Sequence, residues 1–278
     1  MNDKLGPVFI IGCPRSGTSA TAWAIAQHPD FGSFGEEMIL WQLLSGPRSL
    51  SNIYRISYAV KLNMLKGHNL SYDDFLGYMG IGFDRMCADI TRGKRWVEQT
   101  PQNTMVASEI SKMFPTSSFI HLIRDGRATV NSMIHSGFPT EWANDFPKAC
   151  RVWKNFIEKG LIFEHENKER TLQIRQERLL AEPHEVMRDI FQFLCAETCA
   201  KSGDFLLKNT LNSSFKIINQ PQKPESTDLA TNRPANPCAD WTDDMKATFR
   251  SIAGETMADL GYDCTMEPIA TKVINGST

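Results

Sequence analysis

The sequence predicts an α/β fold in which a parallel β-sheet is flanked by helices. Short apolar runs alternate along the chain with stretches of helical spacing, and a glycine-containing loop follows the first run. Parallel strands need a crossover connection, usually a helix, so this alternation is typical of βαβ units. The 278 residues, 41% of them hydrophobic, suit a single domain with its own core, and we expect one domain over residues 1–278.

Four short apolar runs are predicted strands, and each precedes a predicted helix. The strands are 7–12, 95–98, 118–123 and 172–174, and the helices are 18–28, 103–114, 126–134 and 185–193. Two stretches interrupt this order. Residues 41–94 predict a helical, aromatic-rich insert on the substrate side, and residues 211–240 form a long loop rich in Asn, Pro and Ser. Such a loop is either a lid over a site or a disordered segment.

The charge balance excludes a general binder of nucleic acid. Thirty basic residues face thirty-two acidic ones, for a net charge of −2, so any anion site must be local. Seven scattered cysteines with no CxxC pair favour free thiols over zinc and suit a reducing cytoplasm. The first residues carry neither a secretory leader nor a long apolar segment, so we expect a cytoplasmic protein without stable membrane insertion.

The strongest motif is GCPRSGTS at residues 12–19. A strand, a glycine loop and a helix in this order direct main-chain N–H groups at a phosphate, aided by the positive end of the helix. The spacing matches GxxxxGK[ST] of P-loop proteins, except that Thr18 takes the lysine position. Arg15, inside the loop, is the candidate replacement cation. The alternative is an ordinary strand-to-helix turn.

A second motif follows the strand 118–123. Nucleoside triphosphate enzymes commonly place a magnesium-binding carboxylate at such a strand end, but here the strand runs into Arg124-Asp125-Gly126-Arg127. Arg124 would face a second anion, and the Ser132 hydroxyl in the next helix would reach the same anion. The alternative is a turn in which Asp125 pairs with one of its neighbouring arginines. Two anion subsites without an evident metal carboxylate indicate a nucleotide phosphorylated in two places.

These motifs resemble those of sulfotransferases that use 3′-phosphoadenosine 5′-phosphosulfate (PAPS). The pattern is most similar to tyrosylprotein sulfotransferases and their bacterial relatives, and the resemblance runs from about residue 7 to residue 263. The further matching pieces are HP at 28–29, GEE at 35–37, FP at 114–115, STD at 226–228, RP at 233–234, Trp241 and LGYD at 260–263.

The resemblance implies sulfuryl transfer from PAPS, with 3′-phosphoadenosine 5′-phosphate (PAP) as the product and no metal ion. Arg15 would stabilise charge on the leaving group, in addition to binding the donor. The other residues assigned to the nucleotide are Ser16, Gly17, Thr18 and Ser19 at the 5′-phosphate, Arg124 and Ser132 at the 3′-phosphate, and Arg233 closing over the cofactor.

The resemblance also implies a glutamate base, which maps onto Glu37. The loop before the glutamates is one residue longer than in the family, so Glu36 stays open as the base. His28 is a further candidate because histidine titrates near neutrality, although a histidine at a helix end before proline is more often structural.

The chain departs from the family at two positions. Gln99 stands where the family has a lysine, and its amide carries no positive charge, so stabilisation of the leaving group falls more heavily on Arg15. Gln176 replaces a tyrosine that commonly lies near the nucleotide.

Two other functions remain open. One is a P-loop small-molecule kinase that uses arginine in place of lysine, and the other is a non-catalytic nucleotide-binding protein in which Gln99 marks lost activity. For the sulfotransferase, we expect a hydroxyl or amine acceptor on a small molecule, a lipid or a glycan. The near-neutral charge disfavours a highly sulfated polysaccharide. The sequence does not indicate an oligomeric state.

Overall fold

The computed structural model describes residues 5–60, 64–209 and 236–263. Within these ranges, five strands form one parallel sheet in the order β2-β3-β1-β4-β5. The strands are β1 Val8–Gly12, β2 Phe31–Ser33, β3 Arg95–Glu98, β4 Ser118–Ile123 and β5 Thr171–Arg175. The predicted α/β fold with a parallel sheet flanked by helices is confirmed.

The helices of the same ranges connect these strands and extend beyond them. The α-helices are α1 Thr18–Ile25, α2 Ile39–Leu44, α3 Leu50–Ala59, α4 Met64–Gly67, α5 Tyr72–Ile90, α6 Ala107–Met113, α7 Gly126–Ile134, α8 Phe146–Glu166, α9 Gln176–Ala181, α10 Pro183–Phe193, α11 Ala200–Lys208 and α12 Asp243–Asp259. Two short 3₁₀ helices cover Pro101–Val106 and Lys168–Arg170.

The central strand β1 shows why the sheet is buried on both faces. Val8 and Ile10 pack into one hydrophobic cluster, with α1 and α10, while Phe9 and Ile11 pack into another, with α2 and α6. Successive side chains of a strand point to opposite faces, so an unbroken apolar run fills two cores at once. All four side chains are fully buried, and each contributes roughly 1.5–3 kcal/mol to folding.

Two predicted helices begin or end differently in the structure. Helix α1 ends at Ile25 instead of reaching His28. The N–H groups of Gln27 and His28 donate to the oxygens of Ala24 and Ile25, so the last residues form tighter turns. His28 itself is disfavoured in the helical conformation because it precedes Pro29. The helix predicted from residue 103 begins as the 3₁₀ turn Pro101–Val106 and becomes α-helical at α6. The three-residue strand β2 was not predicted, since its sequence FGS has no apolar run.

The insert predicted at residues 41–94 is helical, as α2 to α5 show. Its longest helix, α5, begins with a capping box, in which the Ser71 hydroxyl accepts the Asp74 N–H and the Asp74 carboxylate accepts the Ser71 N–H. The loop predicted at residues 211–240 falls largely on residues 210–235, which lie outside the described residues.

The chain divides into two compact units. The first comprises residues 1–123 and 159–222 and contains the sheet. The second comprises residues 124–158 and 223–278 and contains α7 and α12. In the second unit, the indole of Trp153 packs 6.2 Å from the ring of Phe249, and the ring of Trp241 lies 5.2 Å from Phe249. That the whole chain acts as one domain remains a prediction.

Candidate functional site

The loop after β1 packs so closely against the sheet that its first position requires glycine. Gly12 has a φ of 150°, and a Cβ there would lie 2.5 Å from the main-chain oxygen of Leu122 in β4. The Gly12 N–H donates to the Thr104 hydroxyl at 2.9 Å. The loop therefore leaves the carboxyl edge of the sheet at a tightly held point, the edge where α/β proteins bind their ligands.

The start of helix α1 offers main-chain donors to an anion. Gly17 precedes the helix with a φ of 97°, a conformation that favours glycine. Among the described residues, no side chain caps this helix and its first turn holds no acidic residue. The first N–H groups of a helix have no partner within the helix and carry the positive end of its dipole. The turn that begins at Thr18 is thus a candidate phosphate site.

Ser16 shapes the loop from within. Its N–H and its hydroxyl both donate to the main-chain oxygen of Cys13, at 3.2 and 2.6 Å. The hydroxyl proton is therefore held inside the turn. Gly17, Thr18 and Ser19 lie where the helix begins, so their main-chain N–H groups are the ones available in position for a phosphate. The assignment of these residues to the 5′-phosphate remains a prediction.

Arg15 and Glu36 interact electrostatically. Burial lowers the pKa of Arg15, and the negative charge of Glu36 opposes that effect. Partial loss of solvent raises the pKa of Glu36, and the positive charge of Arg15 opposes it. Arg15 also has a φ of 71°, which is uncommon for a residue with a side chain and is typical of functional loops. The first glutamate of the GEE motif therefore lies within the field of the loop arginine.

The second glutamate, Glu37, is held from the end of β3. Its N–H donates to the hydroxyl of Thr100 at 2.9 Å. Gln99, the residue before Thr100, is only 1% exposed, and its Oε1 has no hydrogen-bond partner within the part of the chain that the structure describes. Rotation of the amide by 180° would exchange this oxygen for the NH₂ group. Gln99 thus places a buried amide where the family has a lysine, one residue before the threonine that binds the main chain of Glu37.

Gln176 is a candidate donor that the sequence analysis did not propose. It is the first residue of α9, directly after β5, and its Cγ and Nε2 lie 3.5 and 3.9 Å from where a Cβ of Gly17 would be. The side chain is 1% exposed, and its Nε2 has no partner among residues 5–60, 64–209 and 236–263. Buried polar groups are usually hydrogen-bonded, so an anion at this loop would satisfy the amide. Its place at a strand end was the available signal.

The RDGR motif begins the second unit. Arg127 forms a buried ion pair with Asp125, whose carboxylate accepts from the arginine Nη2 at 2.7 Å and from its Nε at 3.2 Å. The same carboxylate accepts the main-chain N–H of Arg127 at 2.8 Å and so caps α7. Arg124 is 7% exposed, and Ser132 lies half-buried on α7. Of the two arginines, Arg127 forms this pair with Asp125. The assignment of Arg124 and Ser132 to a second anion remains a prediction.

Two other predicted residues lie apart from these. His28 is buried after α1, where its Nδ1 accepts the Asp30 N–H at 3.1 Å and its ring contacts Phe31 and Phe191, with centroids 5.4 and 5.0 Å away. These contacts give His28 a structural role. Arg233 lies outside the described residues.

The described residues contain neither a metal-binding cluster nor a membrane-spanning helix. No group of three or more His, Cys, Asp or Glu side chains there is arranged to hold a metal ion. In the same ranges, no helix has both the length and the apolar character that a membrane span requires.

The parallel sheet flanked by helices defines an α/β protein, and the loop between β1 and α1 is its candidate anion site. More specifically, the chain belongs to the sulfotransferase family, whose model matches residues 7–198.

Comparisons with known proteins agree with this family. A putative protein-tyrosine sulfotransferase of Caenorhabditis briggsae is 25% identical over 190 residues, covering 67% of this chain and 64% of the relative. Protein-tyrosine sulfotransferase A of Caenorhabditis elegans is 26% identical over 283 residues, covering 94% of this chain and 68% of the relative. The chain thus spans under two thirds of the length of the first of these relatives.

Solved structures show the same fold. The sulfotransferase domain from the curacin biosynthetic pathway matches with a TM-score of 0.56 and 20% identity, covering 93% of this chain and 98% of that domain. A mouse sulfotransferase complexed with PAP matches with a TM-score of 0.53 and 16% identity, covering 93% of this chain and 86% of that protein.

Proposed function

We propose that this protein transfers a sulfuryl group from PAPS to a hydroxyl or amine acceptor, with a glutamate as the base. The observation that carries the proposal is the start of α1, where main-chain N–H groups, the loop cation Arg15 and the buried amide of Gln176 occur together. Family membership and the PAP complex of the mouse neighbour support PAPS as the donor.

The residues of the loop fit an anionic sulfate donor. The N–H groups of Gly17, Thr18 and Ser19 would hold its 5′-phosphate, and Arg15 would offset the charge that grows on the departing phosphate oxygen. The Nε2 of Gln176 would donate to the same anion and so gain the hydrogen bond that it lacks within the described residues. By the resemblance, Arg124, Ser132 and Arg233 would hold the 3′-phosphate end.

Bound PAPS supplies an SO₃ group, whose bond to the phosphate oxygen breaks as the acceptor oxygen or nitrogen bonds to sulfur. Glu37 accepts the proton that the acceptor loses. Glu36 is the alternative base because it interacts with Arg15, close to the proposed leaving group. The buried amide of Gln99 would hydrogen-bond near the bridging oxygen, and the neutral amide leaves Arg15 as the positive charge in the loop.

For the acceptor, we propose a small molecule, a lipid or a glycan. The relatives named as protein-tyrosine sulfotransferases make a tyrosine in a protein the competing candidate. We further propose that one domain carries this activity in the cytoplasm and that neither a metal ion nor a nucleic acid is involved.

Titration calorimetry with PAP in the presence of a chelator tests the donor. Binding without added metal supports the sulfotransferase, whereas binding of ATP that requires magnesium, with no binding of PAP, would favour the kinase. PAPS radiolabelled in sulfur is then incubated with separated small-molecule, lipid, glycan and protein fractions of a cell extract. PAP binding without label transfer to any fraction would favour the non-catalytic protein.

Glu37→Gln tests the base, with Glu36→Gln as the matched control one residue away. We expect Glu37→Gln to remove nearly all label transfer while PAP affinity stays unchanged, because general-base catalysis contributes about 10²–10⁴-fold. We expect Glu36→Gln to retain most of the transfer. The reverse pattern in two folded variants would assign the base to Glu36.

A further inference from the structure

A single buried hydroxyl holds the main chain of Glu37. The Thr100 Oγ1 lies 2.9 Å from the Glu37 nitrogen and 2.9 Å from the Glu37 oxygen, although the two residues are 63 positions apart in sequence. Thr100 is fully buried. The position of the predicted base therefore depends on how this one hydroxyl shares its hydrogen bonds.

The same hydroxyl contacts a buried carboxylate. Glu98 is 2% exposed, and its Oε1 lies within hydrogen-bonding distance of the Thr100 hydroxyl and accepts the Thr100 N–H at 3.0 Å. Its Oε2 accepts from the side-chain amide of Asn103, which is also fully buried. The main-chain N–H of Glu37 also interacts with the Glu98 carboxylate and favours its charged form. All of these donors are neutral, and their combined effect is smaller than that of burial, which raises the pKa of Glu98 to about 7.

The Thr100 hydroxyl carries one proton and faces two acceptors, the Glu98 carboxyl and the Glu37 carbonyl. An ionised Glu98 is the stronger acceptor, because hydrogen bonds to charged groups are roughly twice as strong as neutral ones. The Glu37 carbonyl then faces a hydroxyl oxygen without a proton between them. A neutral Glu98 either donates to the hydroxyl or competes as a weak acceptor, so the hydroxyl proton can bond the Glu37 carbonyl.

We propose that Glu98 is a positioning residue for Glu37 and that it acts through the Thr100 hydroxyl. Ionised Glu98 accepts the Thr100 hydroxyl proton in a hydrogen bond and attracts the Glu37 N–H, so both acceptors of that N–H are strengthened. Neutral Glu98 releases the hydroxyl proton to the Glu37 carbonyl and weakens the hold on the Glu37 N–H. The positioning itself follows from the contacts of Glu98, Thr100 and Glu37, whereas its consequence for catalysis rests on the proposed function of Glu37 as the base.

Other titratable groups around Glu98 come from α5 and from the GEE segment. Cys87 on α5 interacts with Glu98 and with Asp84, but burial raises the pKa of its thiol to about 12, so it stays neutral while Glu98 titrates. In the GEE segment, loss of solvent raises the pKa of Glu36 and the charge of Arg15 opposes that rise. Glu98→Gln therefore isolates the Glu98 contribution, since it keeps these groups and stays neutral at every pH.

Amide hydrogen exchange at Glu37 tests the proposal without an acceptor. The protection factor, which corrects for the intrinsic pH dependence of exchange, is measured one pH unit below and one above the Glu98 pKa, with the Ile120 amide in β4 as the internal reference. In the wild type, we expect protection at Glu37 to rise about five- to tenfold with rising pH, the effect of strengthening one hydrogen bond. In Glu98→Gln, we expect protection that does not change with pH.

Two variants of Thr100 complete the test. Thr100→Val keeps the shape but removes the hydroxyl, so Glu37 should lose protection at both pH values, and Thr100→Ser should restore the wild-type pattern. A wild-type protection factor that is equal at both pH values or falls with rising pH, or a rise of equal size in Glu98→Gln, would overturn the proposal. PAP titration of the same samples tests the nucleotide site separately, so the two proposals can fail independently.

Discussion

The two arginine-bearing turns of this protein, the GCPRSGTS loop after β1 and the RDGR turn after β4, have the same strand-turn-helix connection but treat their helix differently. In the loop, α1 begins at Thr18 without a side-chain cap or a first-turn acid among the described residues. In the turn, Asp125 caps α7 and pairs with Arg127. The first helix start is thus left for a ligand, whereas the second is completed by the protein's own carboxylate.

The difference teaches that a helix start and an arginine side chain are two separate means of attracting an anion. A helix start binds an anion through main-chain N–H groups, which every residue except proline can supply. The capped start of α7 does not offer its N–H groups in this way, and the proposed function therefore assigns the 3′-phosphate to the side chains of Arg124 and Ser132. Within the RDGR turn, we therefore expect a mutation of Asp125 to act mainly on folding and a mutation of Arg124 to act mainly on binding.

The largest expected effect is on the folding of the RDGR turn. Asp125→Ala leaves the guanidinium of Arg127, which is 2% exposed, without its carboxylate, and removes the cap of α7. Breaking a buried ion pair from one side costs about 3–5 kcal/mol in the free energy of unfolding, measured by urea denaturation. As a control, Asp89→Ala breaks the exposed pair with Arg85 and should cost under about 1 kcal/mol. Equal losses in the two variants would contradict the structural role of Asp125.

The next effect is on binding at the same turn. Arg124→Ala should weaken PAP binding by about 1.5–3 kcal/mol, the value of a charged hydrogen-bond partner, and leave adenosine 5′-phosphate binding nearly unchanged. Titration calorimetry with both nucleotides measures the difference. Arg151→Ala removes the same charge from an exposed position on α8 and serves as the control. Equal losses for both nucleotides in Arg124→Ala would refute the 3′-phosphate assignment.

Much of the fold was predictable because its signals are local. The run VFIIG fills two cores as β1, and the glycine loop after it is recognisable from its spacing alone. The strand β2 has only three residues, and its pairing with β3 is a contact made in three dimensions. Local propensity therefore cannot reveal it.

The candidate site was predictable only where a motif carries it. Arg15, Glu36 and Glu37 belong to motifs, and the structure shows Arg15 interacting with Glu36. In the sequence, Glu98 and Gln176 are simply polar residues at strand ends. Their burial could not be predicted because it depends on elements distant in the chain. The choice of Arg127 as the partner of Asp125 depends on side-chain geometry, which spacing does not determine.

The smallest expected effect separates the backbone of the loop from its side chains. Gly17→Ala places a Cβ at a φ of 97°, where contacts are ordinary at 3.5 Å, so the cost comes from the left-handed backbone. That cost is about 1–2 kcal/mol of folding free energy. Gly82→Ala is the matched control, since Gly82 lies inside α5 with nothing within 4 Å of its Cβ position, and alanine should stabilise it by up to about 1 kcal/mol.

The two alanine variants thus have opposite expected signs, and urea denaturation of both measures them. PAP affinity should fall in Gly17→Ala and stay unchanged in Gly82→Ala, because the strained residue is the one that directs the first N–H groups of α1. If Gly17→Ala kept both its stability and its PAP affinity, the left-handed residue before α1 would not be what shapes the phosphate site. The contrast with the capped start of α7 would then need another cause.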